Sequence, residues 1–482
     1  MSAIIGTDQY NNYFGPQIPS NVQGGITAAM PGGSFCGALL SGFVSDRMGR
    51  KYSIQVGALI WCAGSLAICI AQNVPMLVIG RFINGFSVGI CSAQVPVYIS
   101  EIARADIRGR LVGCQQWAIT WGIMIMFYIS YGCSQMKGTA SFRVPWGLQA
   151  TPAVILFIGL LFLPRSPRWL ARKDRWEEAE NTLALLHGNG DANDPFVRQE
   201  MEDIRAMVEF ERQNADATFF ELFKPSVINR THIGLSTQIW SQLTGMNVMM
   251  YYITYVFAMA GLSGNNLLLS SSIQYIINVV MTVPALLWMD RWGRRYTLLI
   301  GSSLMMMWLF TNGGLMALYG RPAPPGGIND IKAASWIVHG FASKAIIACS
   351  YLFVASFAIT WGPASWTYPP ELFPLRIRGK AVALCTSANW IFNFALGYFV
   401  PSAFEHIKWK VYIVFGVFCA AMTIHVFFCF PETAGKGLEE IETMFQEKPR
   451  AWKTHVSDNL TPVGVQRVDN SEKTPHVHHQ EV

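Results

Sequence analysis

Long apolar stretches, separated by polar loops, run through most of this chain. Residues 53–80 and 111–131 carry almost no charge, whereas residues 165–230 are dense with it. A helix needs about 20 mostly apolar residues to cross a bilayer. Eleven stretches meet this requirement: 23–44, 53–72, 76–98, 111–131, 146–163, 231–258, 268–289, 297–318, 340–366, 381–402 and 409–430. The pattern therefore predicts an all-α membrane protein with eleven full spans.

Lys and Arg are concentrated in alternate loops. The rich loops are 45–52, 101–110, 164–230, 290–296 and 371–380. The poor loops are 73–75, 132–145, 259–267 and 319–339. Because basic loops stay in the cytosol, this alternation predicts that residues 1–22 lie outside and that the C-terminal residues 431–482 are cytosolic.

The first fifteen residues contain an apolar run that is too short to cross the membrane. No basic segment precedes this run, so it does not have the pattern of a signal peptide. We interpret it as the outer end of a first helix whose beginning is absent from the chain. A complete first helix would give twelve spans.

Two of the basic loops contain the same phrase. Residues 46–51 read DRMGRK, and residues 290–295 read DRWGRR. A second set recurs at matched spacing, in which Tyr98, Glu101, Arg108, Gly109 and Arg110 correspond to Tyr368, Glu371, Arg378, Gly379 and Lys380. The chain therefore contains an internal repeat.

This repeat predicts two similar helical bundles, residues 1–163 and 231–430, which enter the membrane in the same orientation. Residues 164–230 join them, and the helical spacing of apolar side chains from Arg175 to Leu186 predicts short amphipathic helices there. The tail, residues 431–482, is polar and is expected to be disordered after about 445. Such halves can tilt about a central site, as alternating access requires.

Acidic residues accompany the basic ones in both copies of the repeat. Basic residues alone would serve as cytosolic anchors, but acids contribute little to topology. We therefore predict ion pairs that hold the cytosolic face closed in one state and separate in the other. The residues concerned are Asp46, Arg50, Glu101, Arg108, Asp290, Arg294, Glu371 and Arg378, and Arg81 is assigned to the same gating and ion-pair group.

Further motifs are specific in combination. They are Gly80-Arg81-Phe82, Pro164-Arg165-Ser166-Pro167-Arg168, Gln242-Leu243-Thr244-Gly245-Met246-Asn247 and Pro431-Glu432-Thr433. With the repeated loops, they resemble the sugar porter family of the major facilitator superfamily over residues 1 to about 445. The wording from residue 242 is most similar to fungal high-affinity glucose and monosaccharide transporters. The resemblance implies the major facilitator fold, with two six-helix bundles around a central hexose site.

The resemblance also implies which side chains bind the sugar. They are Gln116, Gln242, Asn247, Asn278, Trp366 and Asn389, with Trp390 as a neighbour. Amides both donate and accept hydrogen bonds, and an indole ring can cover the apolar face of a pyranose. A hydrogen bond between helices is the alternative use of a membrane amide, and we assign Asn393 to that structural role.

Two of the predicted spans contain helix breakers close to these residues. Gly245 follows Gln242, and Gly362-Pro363 precedes Trp366. A broken helix exposes backbone groups to a cavity, although a proline can also be a simple kink. Tyr251 and Tyr252 form a candidate outer gate, with packing against neighbouring helices as an equal alternative.

Three positions depart from the family pattern. In proton-coupled members, a carboxylate on the first helix faces the arginine equivalent to Arg81, and here that position would precede Met1. Arg81 therefore lacks its expected partner inside the membrane. Ser241 replaces a second glutamine, and Arg165 replaces a glutamate. The sequence leaves proton coupling open.

The chain is therefore predicted to be a plasma-membrane carrier of glucose or a related hexose or pentose, driven by the sugar gradient or, in a form with a complete first helix, by protons. A transporter-like sugar sensor is an alternative, as is a carrier of quinate, a disaccharide or a polyol. No P-loop or H-E-x-x-H motif is present. We expect no enzyme activity, no cofactor and no metal.

Composition agrees with this interpretation. The chain is 51% hydrophobic and 14% charged, whereas a soluble chain carries roughly 25% charged residues. The cytosolic loops account for the net charge of +6, so we expect no nucleic-acid partner. Nine of the ten cysteines lie in apolar stretches without a CxxC pair, which argues against disulfides and metal sites. The expected partners are a monosaccharide, lipid and, as a candidate, protons, and we expect a monomer.

Overall fold

Helices make up most of the described structure. The computed structural model describes residues 8–14, 20–104, 108–213, 219–323, 328, 335–434, 436, 441, 444–445 and 451–454. The helices of the first bundle are α1 (Asp8–Phe14), α2 (Ser20–Met48), α3 (Arg50–Cys69), α4 (Val74–Ile102), α5 (Arg108–Ser134), α6 (Ala140–Leu148) and α7 (Ala150–Phe162).

The connecting segment and the second bundle are also helical. The connecting segment contains α8 (Pro167–Arg172), α9 (Trp176–His187), α10 (Pro195–Gln213) and a 3-10 helix (Phe219–Phe223). The second bundle contains α11 (Ile228–Leu243), α12 (Met246–Met259), α13 (Gly264–Trp292), α14 (Arg294–Tyr319), α15 (Phe341–Ile359), α16 (Trp361–Leu372), α17 (Leu375–His406) and α18 (Lys410–Cys429). Two short strands, β1 (Gly320–Pro322) and β2 (Trp336–Val338), pair antiparallel between α14 and α15.

Every predicted span coincides with a helix or a pair of successive helices. Among the described residues, eight of these segments are long and apolar enough to cross a membrane. The other three, α5, the α11–α12 pair and α17, fall short of that length or apolar content. These three carry the predicted sugar-binding residues Gln116, Gln242, Asn247, Asn389 and Trp390. The all-α prediction is confirmed, and the number of spans beyond eight stays a prediction.

Helices α2 and α4 cross with their backbones in direct contact. A Cβ atom built on Gly85 of α4 would lie 1.9 Å from the carbonyl oxygen of Met30, and one on Gly37 of α2 would lie 2.1 Å from that of Phe86. Only glycine leaves room for so close an approach, which is a common way of packing membrane helices. The glycines therefore join α2 and α4 into one unit.

The two bundles meet along two helix pairs, α2 with α17 and α5 with α13. At the first pair, a Cβ atom on Gly24 would lie 2.8 Å from the carbonyl oxygen of Tyr398. Between these pairs, α4 contacts α17 and α5 contacts α16. The bundle interface thus brings the second half of the chain against α2, α4 and α5.

Two of the spans are broken where the sequence predicts breaks. Gly245 adopts a left-handed φ of 85° between α11 and α12. The second break lies at Thr360, between α15 and α16, two residues before the predicted Gly362-Pro363. Pro363 itself lies in the first turn of α16, where a proline is tolerated because its missing N–H would have no helical partner.

The connecting segment folds into amphipathic helices that pack on each other. Ala179 and Leu183 of α9 are buried against Val197 and Met201 of α10. The predicted helical spacing between Arg175 and Leu186 is thus realised in α9. The imidazole of His187, at the end of α9, contacts the carbonyl oxygen of Ile102 over 3.1 Å. This contact fixes the segment against the end of α4.

The tail differs from the prediction at one point. It was expected to be disordered after about 445, but Ala451–Lys453 form a 3-10 helix. The indole of Trp452 stacks on Phe427 of α18, with ring planes 1° apart and centroids separated by 6.3 Å. The polar tail therefore contains a helical turn that packs on α18 through Trp452. Residues 455–482 lie outside the described residues.

Replacing Gly85 with Ala should destabilise the protein by roughly 2 kcal/mol or more, because the new methyl group would overlap the backbone of α2. We expect lower yield and a lower melting temperature for the purified protein in detergent. Gly132→Ala is the matched control, since a Cβ atom at Gly132 of α5 meets nothing within 4 Å. Equal melting temperatures for the two variants would contradict the described crossing.

Candidate functional site

Four amide side chains form one hydrogen-bonded cluster between α11, α12 and α17. Nε2 of Gln242 donates to Oδ1 of Asn389 over 2.6 Å. Oε1 of Gln242 accepts from Nδ2 of Asn393 over 3.1 Å, and also from Nδ2 of Asn247. Gln242, Asn389 and Asn393 are almost fully buried. We call these four residues the amide cluster; in it, buried polar groups satisfy one another.

The turn at Gly245 is what brings Asn247 to Gln242. In an unbroken α-helix, side chains five residues apart point about 140° apart. Here α11 ends at Leu243 and α12 begins at Met246. The left-handed glycine between them changes the direction of the chain, so both amides reach the same point.

Asn393 makes the interhelical hydrogen bond that was expected of it, but its partner is Gln242 itself. Its Oδ1 also accepts from the hydroxyl of Tyr251 over 3.3 Å. A chain of hydrogen bonds therefore runs from Tyr251 through Asn393 to Gln242. The signal in the sequence was spacing, since Asn389 and Asn393 lie one helical turn apart and face the same side of α17.

The two tyrosines of the predicted outer gate have different surroundings. Tyr252 is 1% exposed, and its hydroxyl donates to the carbonyl oxygen of Gly397 over 2.8 Å. Its backbone leaves the helical conformation, with φ −123° and ψ 23°. Tyr252 is thus fixed by packing, whereas Tyr251 touches the amide cluster. The gating role of the pair stays a prediction.

Three of the seven buried amide oxygens that have no hydrogen-bond partner in the described part of the chain lie on α11 and α13. They belong to Asn278, Gln274 and Gln238. Nε2 of Gln238 donates to the carbonyl oxygen of Ser365 over 2.8 Å, and that of Gln274 to Met249 over 3.0 Å. An unpaired buried acceptor is costly, so these oxygens require a donor from water or a ligand. Gln238 and Gln274 were not predicted as site residues, although each lies one helical turn from a predicted one.

Gln116 and Asn278 lie on α5 and α13, two helices that meet at the bundle interface. The indole nitrogen of Trp117, the residue after Gln116, donates to the carbonyl oxygen of Val279 over 3.3 Å. Val279 in turn follows Asn278. This bond holds α5, which carries the half-buried amide of Gln116, against α13, which carries the buried amide of Asn278.

The two predicted tryptophans lie on α16 and α17. Trp366 is half-buried and follows Ser365, which Gln238 holds. Trp390 is half-buried and follows Asn389, and its Nε1 donates to Oγ of Ser92 in the first bundle over 3.1 Å. Of the predicted sugar residues, hydrogen bonds within the described chain unite Gln242, Asn247 and Asn389. The others lie on adjoining helices.

A buried ion pair lies at the end of the first bundle. Nε of Arg50, at the start of α3, lies 3.1 Å from Oε1 of Glu101, at the end of α4. The hydroxyl of Ser166 donates to the other oxygen of Glu101. Asp46 lies 3.9 Å from Arg50, but its side chain is 55% exposed. The strong interaction is therefore the pair of Arg50 with Glu101.

The second bundle repeats this arrangement. Nη2 of Arg294, at the start of α14, lies 2.8 Å from Oε1 of Glu371, at the end of α16. The hydroxyl of Thr433 donates to Oε2 of Glu371 over 2.7 Å. The carboxylate of Glu432 accepts from the backbone N–H groups of Arg294 and Arg295. Both copies of the sequence repeat thus form equivalent pairs.

Both ion pairs join helices of the same bundle, so each braces its own half in this state. Arg378 donates to the carbonyl oxygen of Phe373 over 3.1 Å. The side chains of Arg108 and Asp290 lie outside the described residues. The proposal that these groups change partners as the protein opens stays a prediction.

Arg81 is a buried cation on α4. Its side chain is 9% exposed, and its Nε has no hydrogen-bond partner among the described residues. Tyr10, Tyr251 and Tyr252 lie close enough to interact with it electrostatically. A cation at membrane depth is retained at a cost and marks a functional position. Residues 1–7 lie outside the described residues.

Several known proteins are similar to this chain in sequence. The family described as "Sugar (and other) transporter" matches residues 3–445. The MFS glucose transporter mfs1 of Aspergillus flavus is 48% identical over 465 residues, which cover 94% of this chain and 87% of that protein. The high-affinity glucose transporter of Kluyveromyces lactis is 48% identical over 457 residues, which cover 94% of this chain and 83% of that protein.

The fold is similar to that of a solved symporter. The proton:xylose symporter XylE of E. coli, bound to 6-bromo-6-deoxy-D-glucose, aligns with a TM-score of 0.78 and 27% identity. The alignment covers 92% of this chain and 95% of that one. XylE in its inward open conformation aligns with a TM-score of 0.69. The present structure is thus more similar to the ligand-bound form than to the inward open one.

Glu371→Gln should destabilise the protein by about 2–3 kcal/mol, because it removes the negative charge of the carboxylate that pairs with the buried guanidinium of Arg294. The measurement is the melting temperature of the purified protein. Asp46→Asn is the control, since an exposed carboxylate contributes at most about 1 kcal/mol. A larger loss for Asp46→Asn than for Glu371→Gln would show that the described pairing is wrong.

Proposed function

Because this chain belongs to the sugar transporter family, we propose that it carries a monosaccharide across a membrane by alternating access between its two bundles. The glucose transporters and the xylose symporter that it resembles support glucose, or a related hexose or pentose, as the substrate. The predicted major facilitator fold is confirmed by the similarity to XylE, and the family match identifies a transporter rather than an enzyme.

The amide cluster is the observation that carries this proposal. A sugar hydroxyl can both donate and accept a hydrogen bond, as an amide can. When hydroxyls enter the cluster, they can replace Asn247 and Asn393 as donors to Gln242 without leaving a buried polar atom unpaired. The exchange replaces protein–protein bonds by protein–sugar bonds of similar strength. Binding and release are then both accessible.

The unpaired buried oxygens extend the site. Asn278, Gln238 and Gln274 each present an acceptor that a sugar hydroxyl can satisfy. We assign sugar binding to Gln242, Asn247 and Asn389, as the sequence predicts. The remaining proposed sugar-binding positions are Gln116, Asn278 and Trp366 on adjoining helices, with Trp390 and, as an addition, Asn393 on α17.

The buried ion pairs fit a role in switching. Arg50 with Glu101 and Arg294 with Glu371 lie at equivalent positions of the two bundles. Paired charges favour one arrangement of packed helices over another, and such interfaces are commonly bistable. We propose that the pairs stabilise the state in which the cytosolic face is closed.

Protons are the proposed coupling ion. The similarity to a proton:xylose symporter supports this, and Arg81 is the buried cation on which a nearby proton-binding group would act. Because Arg81 is buried in a bundle surrounded by lipid, a change in the charge of such a group would strongly change the electrostatic energy of the Arg81 cation.

The protein is a multi-pass membrane transporter, and we propose that it works in the plasma membrane as a monomer in contact with lipid. The basic loops support a cytosolic C-terminus. Nucleic acid has no place in this function. Transport of quinate, a disaccharide or a polyol is the alternative. Uptake measurements with each of these substrates distinguish it from transport of a monosaccharide.

Gln242→Ala should raise the KM for radiolabelled glucose roughly tenfold or more in a transporter-null host, because it removes the centre of the amide cluster. Gln199→Ala is the matched control, since Gln199 is exposed on α10 in the connecting segment. Its KM should stay within about twofold of the wild type.

Uptake that is unaffected by Gln242→Ala would exclude the proposed site. Counterflow in reconstituted vesicles separates the carrier from a sugar sensor, because a carrier exchanges labelled for unlabelled sugar. Sugar binding without counterflow would favour the sensor and overturn the proposed transport function.

A further inference from the structure

The indole of Trp390 joins the two bundles next to the amide cluster. Its Nε1 donates to Oγ of Ser92 over 3.1 Å, across 298 positions of sequence. Tryptophan has one hydrogen-bond donor, so in this state that donor is committed to the first bundle. Trp390 can then offer a sugar only its ring.

Ser92 is a fixed acceptor rather than a mobile one. Its hydroxyl donates to the carbonyl oxygen of Gly89, one turn earlier on α4, over 3.1 Å. Gly89 itself is packed against α2, because a Cβ atom there would lie 2.1 Å from the carbonyl oxygen of Ser34. The part of α4 that carries Ser92 is therefore held by the glycine crossing, and its hydroxyl presents its lone pairs in one direction.

Trp390, which donates the hydrogen bond to Ser92, directly follows a residue of the amide cluster. Asn389, the residue before Trp390, accepts from Gln242 over 2.6 Å. Successive residues of a helix point about 100° apart, so α17 turns one side chain to the amides and the next to α4. The orientation of the indole thus depends on a group in the first bundle, although its helix belongs to the second.

We propose that Ser92 is a positioning residue for sugar binding, which acts by holding the indole of Trp390 in place from the opposite bundle. The proposal rests on the proposed function as a monosaccharide carrier. It adds that one wall of the site is held in place only while α4 and α17 are together. Separation of α4 from α17 would release the indole and lower the affinity for the sugar.

The test is the KM and the maximal rate of glucose uptake for Ser92→Ala. We expect KM to rise roughly two- to tenfold, the effect of one hydrogen bond, with the maximal rate per molecule within about twofold of the wild type. Ser92→Thr keeps the hydroxyl and should restore KM. In a Trp390→Phe background, which already lacks the indole donor, Ser92→Ala should change KM less than twofold.

Ser87→Ala is the matched control for a structural effect. Ser87 is a buried serine on the same helix, and its hydroxyl donates to Gly57 within the first bundle over 2.6 Å. We expect it to lower the melting temperature while leaving KM unchanged. An unchanged KM for Ser92→Ala, or equal effects with and without the indole donor, would overturn the proposal while wild-type uptake still supports the carrier. A wild-type chain that transports no monosaccharide would overturn the proposed function and this proposal with it.

Discussion

A polar group on a helix surrounded by lipid has to find a hydrogen-bond partner, and the arrangement of this molecule follows from that constraint. The amides of α11, α12 and α17 satisfy one another around Gln242. The three predicted spans that fall short of the usual length or apolar content include the helices that carry these amides. Stability and substrate recognition therefore depend on the same atoms.

Each bundle is held together by backbone contacts or ion pairs between its own helices. Backbone contacts at Gly37 and Gly85 lock α2 to α4, and buried ion pairs join helices inside each half. The breaks at Gly245 and Thr360 lie in spans of the second bundle, which they divide into shorter helices. A molecule of this construction can tilt as two units while local segments open and close.

The internal repeat made the ion pairs predictable, since a duplicated acid next to a duplicated arginine points to duplicated partners. Other parts were not predictable in this way. Asn393 makes an interhelical hydrogen bond as predicted, but its partner Gln242 was not predictable, because an asparagine in an apolar helix has the same sequence signal whether it braces helices or lines a site. The contact of Trp452 with Phe427 was also missed, since a single aromatic residue in a polar tail gives no periodic pattern.

The sequence by itself determined the helical class, the two related halves and the residue, Gly245, at which the span formed by α11 and α12 breaks. These follow from local hydropathy, from repetition and from the left-handed conformation that glycine alone adopts easily. Only the tertiary structure decided which polar groups meet, as with Trp390 and Ser92. The reason is physical: a hydrogen-bond donor on a helix carries no record of its partner, and the partner is fixed only when distant helices pack.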